Sequence, residues 1–130
     1  MTQDITAAVR AALEAKPGAV GEPLPSAPGV MLYKVMGKMF AVLEVRRVEV
    51  VILKCDPLLA DILREQYAGV GHRGHLDRRF WISIDLKSDV PVDEIERLAA
   101  QSYELVCAKP TRKQRAELAA WPEAGRPSPI

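Results

Sequence analysis

The chain predicts an α+β fold, an antiparallel β-sheet with its helices packed on one face, and three observations carry that prediction. Segments that alternate apolar and polar residues follow one another across tight turns, as in an antiparallel meander. Two proline-led helix starts, Asp56-Pro57 and Ser88-Asp89-Val90-Pro91, interrupt the strands. The 130 residues are 48% hydrophobic and 27% charged, which suits one globular domain with a real core and leaves no room for a second.

Residues 2–15 place Ile5, Val9, Ala12 and Leu13 at helical spacing, with Asp4 and Thr6 near the start to cap free amides. Pro17-Gly18 stops this helix. Residues 20–29 hold three prolines and two glycines, the composition of an irregular connection with room for a short edge strand. Residues 30–36 and 39–45 then form a hairpin around Gly37-Lys38, and Arg46-Arg47 turns the chain into a third strand over 48–54.

Asp56 can accept from orphan amides, and proline at the first helical position sacrifices no hydrogen bond, so a helix runs from there to about Gln66 and ends before Gly69. The basic turn Gly71-His72-Arg73-Gly74-His75-Leu76-Asp77-Arg78-Arg79 leads into a strand over 80–86. After the second start, Ile95, Leu98, Ser102, Leu105 and Val106 mark the apolar stripe of a longer helix. Lys109-Pro110-Thr111 breaks it and caps a short last helix over 112–120, whose polar face carries Arg112, Lys113 and Arg115. Beyond Trp121, prolines and a glycine predict a frayed tail, so the expected organisation is one domain over 1–120 and a tail over 121–130.

Alternation also assigns the sheet faces. Met39, Ala41, Leu43 and Val45, Val51 and Leu53, and Phe80, Ile82, Ile84 and Leu86 go to the helix-covered side. The opposite side carries Lys34, Phe40, Val42, Val50, Ile52, Lys54, Trp81, Ser83 and Asp85. A solvated sheet face should be mostly polar. Aromatics, aliphatics and lysines together predict a face that meets a partner.

Charge and cysteine usage narrow the function classes. With 18 Lys+Arg against 17 Asp+Glu the net charge is +1, so no global field attracts a polyanion and any nucleic-acid affinity must be local. Cys55 and Cys107 stand too far apart in sequence for a metal pair or a small-domain disulfide framework, and read as buried free thiols in a reducing compartment. No apolar run reaches the length of a signal core or a membrane span, so a cytoplasmic protein with no membrane partner is the expectation.

His72 and His75 sit three apart with Asp77 following, but a metal site needs at least three convergent ligands, and a solvated turn is the plainer reading. The chain has no glycine-rich phosphate loop, metalloprotease motif, nucleophile elbow or CxxC pair, so the expectation is a non-enzyme without cofactor or metal. The dense positive cluster beside an aromatic is Arg73, Arg78 and Arg79 with Lys54, Lys38 and Trp81. Such cations can hold phosphates while the indole stacks on a base or sugar.

Leu53-Lys54-Cys55-Asp56-Pro57, followed by His75-Leu76 and then Trp81, resembles the signature of the MmcQ/YjbR family of small bacterial proteins. Ala15-Lys16-Pro17-Gly18-Ala19, Gly37-Lys38-Met39-Phe40-Ala41-Val42-Leu43 and Ser102-Tyr103-Glu104-Leu105-Val106 extend the resemblance over roughly residues 2–119. It implies a CyaY-like α+β fold and a double-wing DNA surface on the open sheet face. The chain departs from the pattern where Gly71-His72-Arg73 lacks a proline before the glycine and where Asp77 replaces a common asparagine. A frataxin-like fold would also allow iron handling through an acidic first helix, yet Asp4 and Glu14 are balanced there by Arg10 and Lys16. The expected function is therefore modest DNA binding through Lys38, Lys54, Arg73, His75, Arg78, Arg79 and Trp81. The alternative is a protein- or small-ligand-binding module using Phe40, Val42, Ile52 and Trp81 on the same face.

Overall fold

The computed structural model describes residues 4–46, 48–74 and 76–108. Arg47, His75, the expected last helix over 112–120 and the tail over 121–130 lie outside the described residues. The element order is α1 (Ile5–Glu14), β1 (Ala19–Pro23), β2 (Val30–Val35), β3 (Lys38–Val45), β4 (Glu49–Lys54), α2 (Pro57–Gln66), β5 (Val70–Gly71), β6 (Trp81–Asp85) and α3 (Val92–Cys107). All pairings are antiparallel, and the strands lie in the order β1-β2-β3-β4-β6-β5. The α+β class predicted from alternation and helix starts is the class observed.

Local chemistry sets the element ends. Asp4 accepts from the Ala7 amide at 3.1 Å and starts α1, and Asp56 accepts from Leu58 and Leu59 and starts α2. Met36 and Gly37 both take positive φ, the requirement of a two-residue hairpin turn that matches strand twist. The second proline-led start works differently from the sequence expectation. Pro91 is the cap residue of α3 and makes no side-chain cap bond, whereas Asp89 reaches back to accept from the amides of Ala68 and Gly69 at 2.9 and 2.8 Å. Gly69 has to be glycine at this junction, since a Cβ there would lie 1.9 Å from Ser88 Oγ.

One side of the sheet carries the main core, in which Val9 and Leu13 of α1, Ala60 and Leu63 of α2, and Ile95, Leu98, Ala99, Tyr103 and Val106 of α3 pack on the strands. Ala41, Leu43, Val51, Leu53, Ile82, Ile84 and Leu86 face this layer as alternation predicts. Four assignments are corrected. Tyr33 pairs with Ala41 but Lys34 pairs with Met39, so Phe40 is the extra residue of a β-bulge. The bulge turns Phe40 into the core beside Ala41 and sends Met39 to the other face. Val45, at the strand end, and Phe80, in the turn before β6, are 42% and 39% exposed and belong to no core.

The second face is not open at its centre. Val30, Val42, Val50 and Ile52 are buried there, packed with Leu24, Ala27, Leu32, Met39, Leu76 and Trp81. Leu24 and Ala27 come from the β1–β2 connection and Leu76 from the β5–β6 loop, so two loops roof the sheet with a small second core. The excess of aliphatics on this face is explained by the protein's own loops.

Candidate nucleic-acid interface

The β5–β6 loop is built around Asp77. Its carboxylate accepts from the Arg79 amide at 2.9 Å, the side-chain-mimicked turn that aspartate favours, and the amides of Phe80 and Trp81 donate to its carbonyl. The loop is then tied to the body from two directions. Arg64 of α2 donates through one guanidinium nitrogen to the carbonyls of Arg78 and Trp81 at 2.7 and 3.0 Å, and the Cys55 amide donates to the Phe80 carbonyl at 2.7 Å. His72 Nε2 donates to the Leu76 carbonyl within the same loop, which fixes the orientation of the ring. Among the described residues no three His, Cys, Asp or Glu side chains converge as a metal site.

Register decides which predicted cations meet. Lys54 stands directly opposite Trp81 across β4 and β6, and Arg78, Arg79 and Phe80 precede Trp81 at the same end of the sheet. Lys38 opens β3 at that end as well, because β3 runs antiparallel to β4 with Ala41 opposite Leu53. Arg73 does not join them. Its guanidinium makes two bonds, 3.0 and 3.1 Å, to Glu44, a residue level with Val50 and Asp85. That is four residues along β6 from Trp81, roughly 13 Å of strand.

Glu44 is the reason, and no sequence pattern flagged it. It is buried at 7% exposure on the second face and also accepts from Arg46 at 2.9 and 3.1 Å. The hydrogen bonds from Arg73 hold its carboxyl below the usual value of 4.5, against the opposing effect of burial, with Arg46 adding to the lowering. A carboxyl lowered in the fold stabilises above its unfolded pKa and loses that contribution as pH falls through the folded one. Replacing Glu44 by Gln should therefore lower stability at neutral pH and flatten the stability–pH curve below about 4.5. Denaturation midpoints from pH 7 down to 3 that run parallel for the two proteins would refute the pairing.

The remaining cations differ in availability. Arg79 binds the Asp77 carboxylate at 2.8 and 3.2 Å and lies 5.3 Å from the centroid of the Phe80 ring. The Arg79 side chain and amide hold the Asp77 carboxyl down to about 2, so the pair stays ionised at any ordinary pH. Arg78 is exposed, and among the described residues no carboxylate pairs with its guanidinium. Trp81 is half-buried in the second core, which removes most of the indole from stacking duty. Phe80 is the aromatic that faces solvent here, and its place directly after Asp77-Arg78-Arg79 was the available signal. His75 lies outside the described residues.

The thiols offer little chemistry. Cys55 is buried and free, and burial pushes its thiol up to about 11, so it is protonated at neutral pH and a poor nucleophile. Burial raises Cys107 as well. Among the described residues no helix is long and apolar enough to cross a membrane.

The YjbR family profile matches residues 14–105, a span that holds every strand and the greater part of α3. The chain belongs to the YjbR family. Uncharacterized protein YjbR of Escherichia coli K12 is 35% identical over 72 residues, which is 55% of this chain and 61% of that protein, so the match spans less than two thirds of the relative's length. The crystal structure of Deinococcus radiodurans protein DR2400, of domain DUF419, superposes with a TM-score of 0.75 at 25% identity, covering 92% of this chain and 93% of that one. A structure from Pseudomonas syringae shares the fold with a TM-score of 0.59 at 24% identity, over 67% of this chain and 86% of the other. The YjbR fold is thus the six-stranded sheet and helix layer described above, and the Asp77 loop lies within the family-matched span.

Proposed function

We propose that this YjbR-family protein is a non-enzymatic nucleic-acid-binding module of modest affinity. Arg78 and Lys54 take phosphates at the basic end of the sheet, with Lys38 beside them, and Phe80 offers its ring to a base. The observation that carries the reading is the exposed Phe80 ring flanked by Arg79 and followed by the Lys54–Trp81 pair, on a loop pinned by Arg64. A cation beside a solvent-facing aromatic is the arrangement that grips a backbone and stacks a base on single strands. The net charge of +1 keeps the interaction local and therefore weak. The alternative, a protein- or small-ligand-binding module on the same face, loses three of its four contact residues, since Phe40, Val42 and Ile52 are buried.

Titration of labelled single-stranded and duplex DNA at several salt concentrations tests the proposal. Binding should weaken as salt rises, and Arg78→Ala should reduce the log-log slope by about 0.7 to 0.9, the value of one phosphate contact. Asp77→Asn should do the opposite, since it releases Arg79 from its carboxylate and adds a contact. Phe80→Ala should cost about 1 to 3 kcal/mol of binding and leave the slope unchanged, because stacking displaces no counterion. No salt-sensitive binding to either form at micromolar protein would end the nucleic-acid reading.

A further inference from the structure

In the helix layer α1 packs closely against α3, whereas α2 stands farther off, so a gap is left along one side of α3. It forms a groove of about 300 Å³ lined by Asp56, Leu59, Gln101, Glu104, Leu105 and Ala108. Its margins carry aliphatic side chains in solvent: Leu58 and Ile62 of α2 are 76% and 56% exposed, and Leu105 of α3 is 37% exposed. Leu58, Asp61, Ile62 and Glu65 share one face of α2 by their spacing, and both acids on it are exposed. With Asp56 and Glu104 in the lining, four carboxylates surround an apolar floor. The cations of the two helices do little to answer them. Arg64 of α2 has a side chain only 12% exposed, turned to the Arg78 and Trp81 carbonyls, and of the four acids it meets Asp61, at 3.5 Å. Arg97 of α3 is bonded to Glu94.

We infer that this groove is a docking site for a cationic amphipathic helix of another protein. Such a helix lies in an apolar groove by presenting side chains three and four residues apart, and Leu59, Ile62 and Leu105 offer the surface for that stripe. Lysines or arginines flanking the stripe then meet Asp56, Asp61, Glu65 and Glu104, so the attraction steers the helix to the groove and fixes its register. The same acids select against the other occupants of an exposed apolar face. A second copy would bring Asp61 and Glu65 against like charges, and an anionic membrane would be repelled. The groove uses none of the residues assigned to nucleic-acid binding, so it stands or falls apart from that reading.

Anisotropy of a dye-labelled peptide of about 14 residues, which spans about 21 Å as a helix and so fits along 16-residue α3, tests the inference on the full chain. The peptide carries leucines three and four apart with lysines between them. One control has the same residues in scrambled order, and a second has glutamate in place of lysine. The patterned lysine peptide should bind about tenfold or more tightly than either control, and Ile62→Asp should weaken it by about tenfold. The double variant Glu65→Lys/Glu104→Lys should lose the lysine peptide and gain the glutamate peptide. Ile62, Glu65 and Glu104 are exposed, so urea midpoints should match those of the unaltered protein. The gain by the double variant keeps the test decisive even if Ile62→Asp disturbs the fold. No binding of the lysine peptide, equal affinity for the scrambled sequence, or a double variant that keeps its original preference overturns the inference. So does a dimer that Ile62→Asp dissolves, which would make the occupant a second copy.

Discussion

Phe40→Ala should cost about 3 to 5 kcal/mol, the loss expected when a fully buried aromatic leaves a cavity behind. Phe40 has no exposed surface and meets Tyr103 of α3 edge to face, with ring centroids 5.4 Å apart and planes at 85°. The size of the effect depends on the β-bulge. Strict alternation would put Phe40 on the face away from the helices, where truncation to alanine would leave the α3 contact untouched. Against a typical total stability of about 5 to 15 kcal/mol, the predicted loss is a large fraction of the fold. Met39→Ala provides the contrast, since Met39 is only half-buried and packs against the smaller second core. Urea denaturation should show a much lower midpoint for Phe40→Ala than for Met39→Ala with similar slopes. Equal midpoints would mean that the bulge register is wrong.

The same two positions mark where the sequence stopped being legible. Helix starts read correctly at Asp4 and Asp56 because capping is a contact between near neighbours, here two or three residues apart. The hairpin was legible for the same reason, although its turn is Met36-Gly37, one residue before the expected Gly37-Lys38. The bulge left no local trace, since Met39 and Phe40 are both apolar and either could face the core. Glu44 and Arg73 are 29 residues apart, and neither one's surroundings announce the pair, so Arg73 was placed with the phosphate-binding cations when the fold spends it on a carboxylate. Asp89 looked like a cap for the helix it precedes, yet the chain brings Ala68 and Gly69 to it across 21 and 20 residues. The candidate site was half legible: Lys54, Arg78 and Trp81 do share a sheet end, while the exposed aromatic among them is Phe80. Alternation run back from Ile82 through a turn placed Phe80 inside, because a period holds only as far as the strand does.

Ser102→Ala should destabilise the protein by about 2 to 4 kcal/mol, far more than the loss of one hydroxyl on a surface helix. Ser102 is the fully buried polar residue of α3, and its oxygen serves two strands at once. It donates to the Phe40 carbonyl at 2.5 Å and accepts from the Lys54 amide at 2.8 Å. The β3–β4 register runs through Ala41 opposite Leu53, so Phe40 and Lys54 are the next pair, where the bulge carries the backbone out of its ladder. The hydroxyl fills that gap. Without it, a buried carbonyl and a buried amide both lose their partner, each at about 1 to 3 kcal/mol. Ser102→Thr keeps the oxygen and adds one methyl, so it should recover part of the loss if the two hydrogen bonds matter and none of it if bulk alone matters. A loss under about half a kcal/mol for Ser102→Ala would mean that β3 and β4 close on each other directly once the hydroxyl is gone. The bulge would then be a property of the strands alone. If the predicted loss is found, α3 is what holds Phe40 in the core, and with it the end of the sheet from which Lys54 and Trp81 project.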